Sequence, residues 1–316
     1  DEIRAGTLMA TAVAFVMAVF VPQAFADHAL WFAVPYALVR LLGMGLFLHL
    51  AWQDPEERRA GLAFALPASL GLVAVIVGAL ASPAVRPWWW VGMIGIDFMA
   101  GAIAGRKAVP RMDVGHFSER HGLIVIIALG ESLIVAGGAV ADQELTVELG
   151  TIGGLAVVLT CLLWWSYFGW VREAIEAALH ELPHRARGLL GRDGFNFGHF
   201  PLVAGVIAFA VAFERVLSHP TEPLHLELAL SIVAGLIGFV GGTGLVVWRA
   251  TGQVLLPRFI GVPVVAAAVL MSVSRPPAYA LAAAVGGMLV VLLLEHRDRG
   301  ARSEREDRRP VYSRLG

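Results

Sequence analysis

Apolar residues fill long stretches of this chain, and charged residues are largely confined to the short segments between them. An α-helix rises 1.5 Å per residue, so about 20 apolar residues cross a hydrocarbon core of about 30 Å. The pattern therefore predicts an all-α polytopic bundle with about ten transmembrane spans. They are placed at 5–25, 29–52, 60–81, 88–106, 117–141, 147–170, 199–218, 227–249, 255–273 and 277–295.

Composition supports a membrane protein. Hydrophobic residues make up 58% of the 316 residues and charged residues only 16%, with a mean hydropathy of +0.72, whereas about a quarter of a soluble domain is charged. The expected partner is the lipid bilayer. A net charge of −1 gives no reason to expect nucleic acid, and the lone Cys161 excludes an intrachain disulfide and a cysteine-based metal site.

The distribution of basic residues predicts the topology. The N-terminus, the loops after every second span and the C-terminal tail together hold 19 of the 24 Lys and Arg residues. Basic loops stay on the cytoplasmic side of bacterial membranes, so both termini are predicted to be cytoplasmic.

Two parts of the chain differ from the spans. Residues 1–295 form the transmembrane domain, within which the loop 171–198 has helical spacing of apolar residues up to Pro183 and is predicted to form an amphipathic helix. Residues 296–316 mix acidic and basic side chains with few apolar ones and are expected to be a disordered cytoplasmic tail.

An internal repeat is one interpretation of two similar segments. GHFSERHGLIVIIALGES (115–132) and GHFPLVAGVIAFAVAFER (198–215) align without gaps at an offset of 83, which pairs His116 with His199 and Glu131 with Glu214. Because both segments lie in spans of the same direction, the repeat would be a parallel one of helix pairs. Chance matching of apolar, glycine-rich segments is the alternative.

Three charged residues are predicted to lie near the middle of the bilayer: Arg40, Asp97 and Glu131. An unpaired charge there costs about 2.5–3.5 kcal/mol or more, so pairing is expected. One interpretation is a proton or ion relay, or a binding site for a small polar solute. The other is a structural ion pair between Arg40 and one of the acids, which only holds helices together.

The fifth span adds further candidates. Arg120 and Glu131 are eleven residues apart, close to three helical turns, and so share one face. His116, Glu119 and Arg120 gather at its cytoplasmic end. The hypothetical polar site therefore also includes these three residues, His199 and Glu214.

Motifs for catalysis are missing from the sequence. It contains no HExxH motif, no Cys/His cluster and no spacing of Ser, His and Asp that suggests a nucleophile. We expect no enzymatic activity, no metal site and no cofactor.

The stretch HFSERHGLIVIIALGES resembles the signature segment of the bacterial low temperature requirement A (LtrA) family, a group of membrane proteins. PYALVRLLGM (35–44), which precedes it, and the later GHFPLVAGVIAFAVAFERVLSHP (198–220) are also similar to family segments in the expected order. The resemblance implies a multi-pass protein of the bacterial plasma (inner) membrane and a link to growth at low temperature.

One family feature has no counterpart here. Family members usually carry a further pair of hydrophobic segments ahead of the one that resembles 1–25, so two spans and any partner they supply to Arg40 or Glu131 would be missing. The sequence favours a transporter or channel-like protein with a buried charge cluster. The alternative is a structural or stress-adaptation membrane protein without transport. The solute or ion and the oligomeric state stay open.

Overall fold

The computed structural model describes residues 2–107 and 112–307 of the chain. Within these ranges the regular structure is helical and contains no strand. Its α-helices are α1 Glu2–Val19, α2 Ala29–Ala51, α3 Pro55–Leu80, α4 Arg86–Lys107, α5 Val114–Val140, α6 Val147–Phe168, α7 Val171–Glu181, α8 His184–Gly191, α9 Gly198–Ser218, α10 Leu226–Leu236, α11 Gly242–Thr251, α12 Leu256–Leu270 and α13 Pro277–Asp307.

These helices confirm the predicted fold class. In the described ranges, nine helical segments are long and apolar enough to cross a membrane, and the shorter apolar helix α12 adds a tenth. Two π-helical turns interrupt the regular geometry. Arg192–Phe197 precedes α9, and Ile237–Gly241 joins α10 to α11 within one membrane-length segment.

The chain divides into two compact units. Unit 1 comprises residues 1–112 with 184–192, and unit 2 comprises 113–183 with 193–316. Unit 1 thus holds α1 to α4 and α8, and unit 2 holds the other helices.

Unit 1 depends on a stripe of small residues along α3. The buried residues of α3 are mostly Ala and Gly at intervals of three or four, which places them on one face and lets α4 approach closely. The indole Nε1 of Trp90 on α4 donates to the carbonyl of Val75, 3.2 Å away. Trp88 and Trp89 are exposed, whereas the neighbouring Trp90 belongs to the core.

Arg86 has a structural role at the end of α3. Its side chain donates to the carbonyl oxygens of Gly78, Ala81 and Ala26, at 3.3, 3.2 and 2.6 Å. The last carbonyls of a helix have no partner within the helix. Arg86, only 4% exposed, supplies the missing donors at the start of α4.

In unit 2, glycines bring α9 against the α10 segment. A Cβ on Gly205 would lie 2.8 Å from the backbone nitrogen of Phe239 and 2.9 Å from the carbonyl oxygen of Gly235. These distances leave no room for a side chain. The two backbones are therefore in direct contact at this crossing.

Helix α7 lies in the loop 171–198, where an amphipathic helix was predicted, and the last helix, α13, extends into the segment expected to be a tail. Helix α7 buries Val171, Ile175 and Leu179 and ends at Glu181, before Pro183. Helix α13 continues past residue 295 to Asp307, through part of the segment expected to be disordered. Contacts of Glu295 and Arg299 with other helices, described below, anchor this extension, and 308–316 lies outside the described residues.

The close crossing at Gly205 predicts a stability difference. Gly205→Ala should lower the free energy of unfolding by about 1–3 kcal/mol, the usual cost of overpacking. Gly154→Ala, where an added Cβ meets nothing within 4 Å, should be neutral or stabilising because Ala favours helices. Thermal unfolding in detergent measures both; equal midpoints would contradict the assigned contact.

Candidate functional site

The predicted pairing of Arg40 is present in unit 1. Arg40 on α2 forms a two-pronged ion pair with Asp97 on α4, with Nη1 to Oδ2 at 2.5 Å and Nη2 to Oδ1 at 2.7 Å. Nη1 also donates to the hydroxyl of Tyr36 at 3.3 Å. Both prongs of the guanidinium match the carboxylate, the geometry that gives arginine pairs their strength.

Helix α3 closes one side of this pair. A Cβ on Gly71 would lie 2.8 Å from Oδ1 of Asp97, so any other residue would displace the carboxylate. The pair is nevertheless not sealed, because 16% of the Arg40 side chain and 26% of the Asp97 side chain are exposed. Near the middle of three membrane-length helices, unit 1 therefore holds an ion pair that is only partly buried.

Glu131 belongs to unit 2 and lies on the exposed face of α5. The buried residues of this helix form the opposite stripe, which includes Ser118, Gly122 and Leu129. Arg120 is exposed as well, as expected from a spacing of three turns. The side chain of Glu131 has no hydrogen bond or ion pair within the described residues of unit 2, and neither has that of Arg120.

The remaining predicted residues divide between surface and core. His116, Glu119 and Glu214 are exposed, and the backbone N–H of His116 donates to the capping carboxylate of Asp113 at 2.8 Å. His199 is only 5% exposed. The two histidines that the repeat aligns thus have different environments, and only the later one is part of the core.

His199 lies in a small polar network among aromatic rings. Its Nδ1 is 3.1 Å from the carbonyl oxygen of Gly194 in the π-helical turn, and its Nε2 is 2.8 Å from the hydroxyl of Tyr167. A carbonyl only accepts, so Nδ1 donates, and in the neutral imidazole Nε2 accepts from Tyr167. The ring of His121 on α5 packs edge-on against His199, with 5.1 Å between centroids.

The most buried ion pair among the described residues was missed by sequence reasoning. Arg258 on α12 and Glu295 on α13 are 0% and 2% exposed, with Nε to Oε1 at 2.5 Å and Nη2 to Oε2 at 3.1 Å. Arg258 also donates to the hydroxyl of Thr243 and to the carbonyl of Ser166. Both charges stand close to the ends of apolar runs, where a charged side chain is expected to face water and not a helix.

Arg299 lies one turn beyond Glu295 and fixes the extension of α13. Its guanidinium carbon is 4.7 Å from the centre of the Trp170 ring, a distance typical of a cation–π contact. Trp170 immediately precedes α7. The contact therefore joins the C-terminal part of α13 to the residue before the amphipathic helix.

No group of three or more His, Cys, Asp or Glu side chains that could hold a metal ion occurs among residues 2–107 and 112–307. The charged side chains brought together are thus cation–carboxylate pairs. Such pairs can bind a small ion or exchange a proton, or they can only hold helices together.

Comparison with known proteins relates the chain to a bacterial membrane family. The family model described as bacterial low temperature requirement A protein (LtrA) matches residues 2–293. An uncharacterized protein of Rhizobium meliloti (strain 1021) is 29% identical over 240 residues, which cover 72% of this chain and 58% of that relative. The chain thus matches a little more than half the length of this relative. No solved structure matches.

The buried pair generates a prediction about stability. Arg258→Met should lower the free energy of unfolding by about 3–5 kcal/mol, since it leaves Glu295 buried without its partner. The double variant Arg258→Met with Glu295→Leu should recover most of that loss. Thermal unfolding of the purified chain tests this, and a double variant no more stable than Arg258→Met alone would refute the pairing.

Proposed function

Because the chain belongs to the bacterial low temperature requirement A (LtrA) family, an integral membrane group, we propose that it is a transporter or channel-like protein. Its polar site is the pair Arg40–Asp97, which binds a small ion or exchanges a proton. Glu131, on the exposed face of α5, is a second proton- or ion-binding carboxylate in this proposal.

The incomplete burial of the Arg40–Asp97 pair carries the proposal. A pair that only joins helices is most stable when its hydrogen bonds are satisfied and it is sealed from water and lipid, as Arg258–Glu295 is. Arg40 and Asp97 keep 16% and 26% of their side chains exposed. Ionisable residues inside membrane spans commonly mark ion or substrate pathways.

The chemistry of the pair suggests how a solute would be bound. When Asp97 accepts a proton or a cation, its hold on the Arg40 guanidinium weakens and the two donors facing it become available. Tyr36, the only other side chain that Arg40 contacts by a hydrogen bond in the described part of unit 1, stays in place as an acceptor. The site is therefore suited to coupling a proton or cation to a small anion.

The family and the distribution of charge support a proposal about location and physiology. The excess of Arg on one side supports an orientation with both termini in the cytoplasm, and the bacterial inner membrane is the location in this proposal. A role in growth at low temperature is part of the proposal.

Proton flux tests the proposal directly. In proteoliposomes with an imposed potassium-diffusion potential and an entrapped pH dye, wild-type protein should accelerate proton entry. Asp97→Asn combined with Glu131→Gln should abolish that acceleration, because neither amide titrates. Glu222→Gln, in an exposed loop, should leave it unchanged.

Flux that survives the double replacement would refute this assignment of the site. If Arg40→Met alone unfolds the protein while Asp97→Asn and Glu131→Gln are silent, the pair is structural, and the stress-adaptation alternative without transport holds.

The close approach of Gly71 to Asp97 allows a second test, in which the carboxylate is displaced and not removed. Gly71→Ala should reduce proton flux by about an order of magnitude, since a displacement of about 1 Å at a site can cost 10²-fold in rate. Gly43→Ala, one turn from Arg40 and with nothing within 4 Å of its added Cβ, should match wild type. Equal fluxes in both variants would contradict a role for the position of Asp97.

A further inference from the structure

A groove runs between α12 and α13 in unit 2. Its volume is about 500 Å³, within the range of about 300–1,000 Å³ common for small-molecule sites. Asp298 is its one ionisable lining residue, at one end. The remaining lining is apolar and includes the glycines at 261, 286 and 287.

Helical spacing explains how the groove forms. Residues Leu256, Ile260 and Val264 recur every fourth position on α12 and make one rim, and Gly286, Val290 and Leu294 do the same on α13. Between the rims, Gly261 contacts Val291 and Gly287 contacts Val265. These contacts draw the helix axes together and form the floor.

Gly286 keeps the groove open. A Cβ at this position would meet nothing within 4 Å, unlike one at Gly261 or Gly287. Packing of α12 on α13 therefore does not require a glycine at 286. A large side chain there would extend into the groove.

The groove has the length of one lipid leaflet. From Gly286 to Asp298 the helix rises about 18 Å, while half of the hydrocarbon core is about 15 Å. It starts where α13 is near mid-membrane and ends on the side where α12 begins, which is the Arg-rich side. A docked transmembrane helix would instead make contact across both leaflets.

The charged side chains at the Asp298 end of the groove suggest which lipid headgroup fits there. The carboxylate of Asp298 favours an amine, and the adjacent Arg297 is exposed and available to a phosphate. We propose that this groove binds one acyl chain of a phospholipid from the leaflet on the Arg-rich side, with an amine-bearing zwitterionic headgroup such as phosphoethanolamine at Asp298. This site is independent of the Arg40–Asp97 pair.

Photoactivatable lipids test the proposal on the full chain. The protein is reconstituted in vesicles of equal parts phosphatidylethanolamine and phosphatidylglycerol, with a trace of either lipid bearing a diazirine on its acyl chain. After illumination, the ethanolamine probe should label peptides containing Val264 and Val290 several times more than the glycerol probe does. The flux assay is not needed for this readout.

Two variants and one control show whether the labelled site is the groove and whether Asp298 selects the headgroup. Gly286→Leu should reduce labelling by about an order of magnitude, because the loss of close contacts worth 1.4 kcal/mol is already tenfold. Gly154→Leu, on an exposed position of α6 with equal room, should label as wild type. Asp298→Asn changes only an exposed side chain and should equalise the two probes.

Several outcomes would overturn the site. Undiminished labelling of Gly286→Leu excludes the groove as the binding place, and equal labelling of the wild type by both probes excludes the headgroup assignment. A change of oligomeric state in Gly286→Leu without loss of labelling would assign the groove to a helix of a second copy.

Discussion

A bilayer interior offers no hydrogen-bond partners, so every polar group at that depth must be satisfied within the protein. The structure meets this constraint in several ways. Arg86 supplies donors to the last carbonyls of α3, and Tyr167 and a backbone carbonyl satisfy both nitrogens of His199. Where α9 crosses the α10 segment, glycines let backbones meet without any polar side chain. At these positions a neighbouring helix or a glycine contact removes the need for an unpaired polar group, whereas Glu131 is left exposed on α5.

The two arginine–carboxylate pairs differ in how completely they are hydrogen-bonded and buried. Arg258 is saturated by Glu295, Thr243 and a carbonyl, and the pair is sealed. This arrangement holds α12, α13 and α6 together and leaves no group free to exchange a ligand. The pair Arg40–Asp97 has equally good geometry but remains partly exposed. We infer that the first pair is structural and that the second is the site of function.

The sequence predicted the fold well because membrane spans depend on a single local property, the length of an apolar run. The depth of Arg40 and Asp97 followed from their place within such runs, and their pairing followed from the cost of charge in lipid. Which face of a helix is buried depends on the neighbouring helices. Sequence alone therefore could not predict that His199 is buried and His116 exposed. Arg258 and Glu295 were missed for a related reason. In the sequence, a charged residue at the end of a span has the same pattern whether its side chain enters water or is buried against another helix.

We propose that small aqueous species reach Asp97 but not the pair around Arg258. Thiol modification can distinguish the two pairs, with Asp97→Cys and Thr243→Cys each made in a Cys161→Ser background and exposed to a small charged methanethiosulfonate reagent. We expect rapid modification at position 97 and protection at position 243. Equal protection of both positions would contradict it.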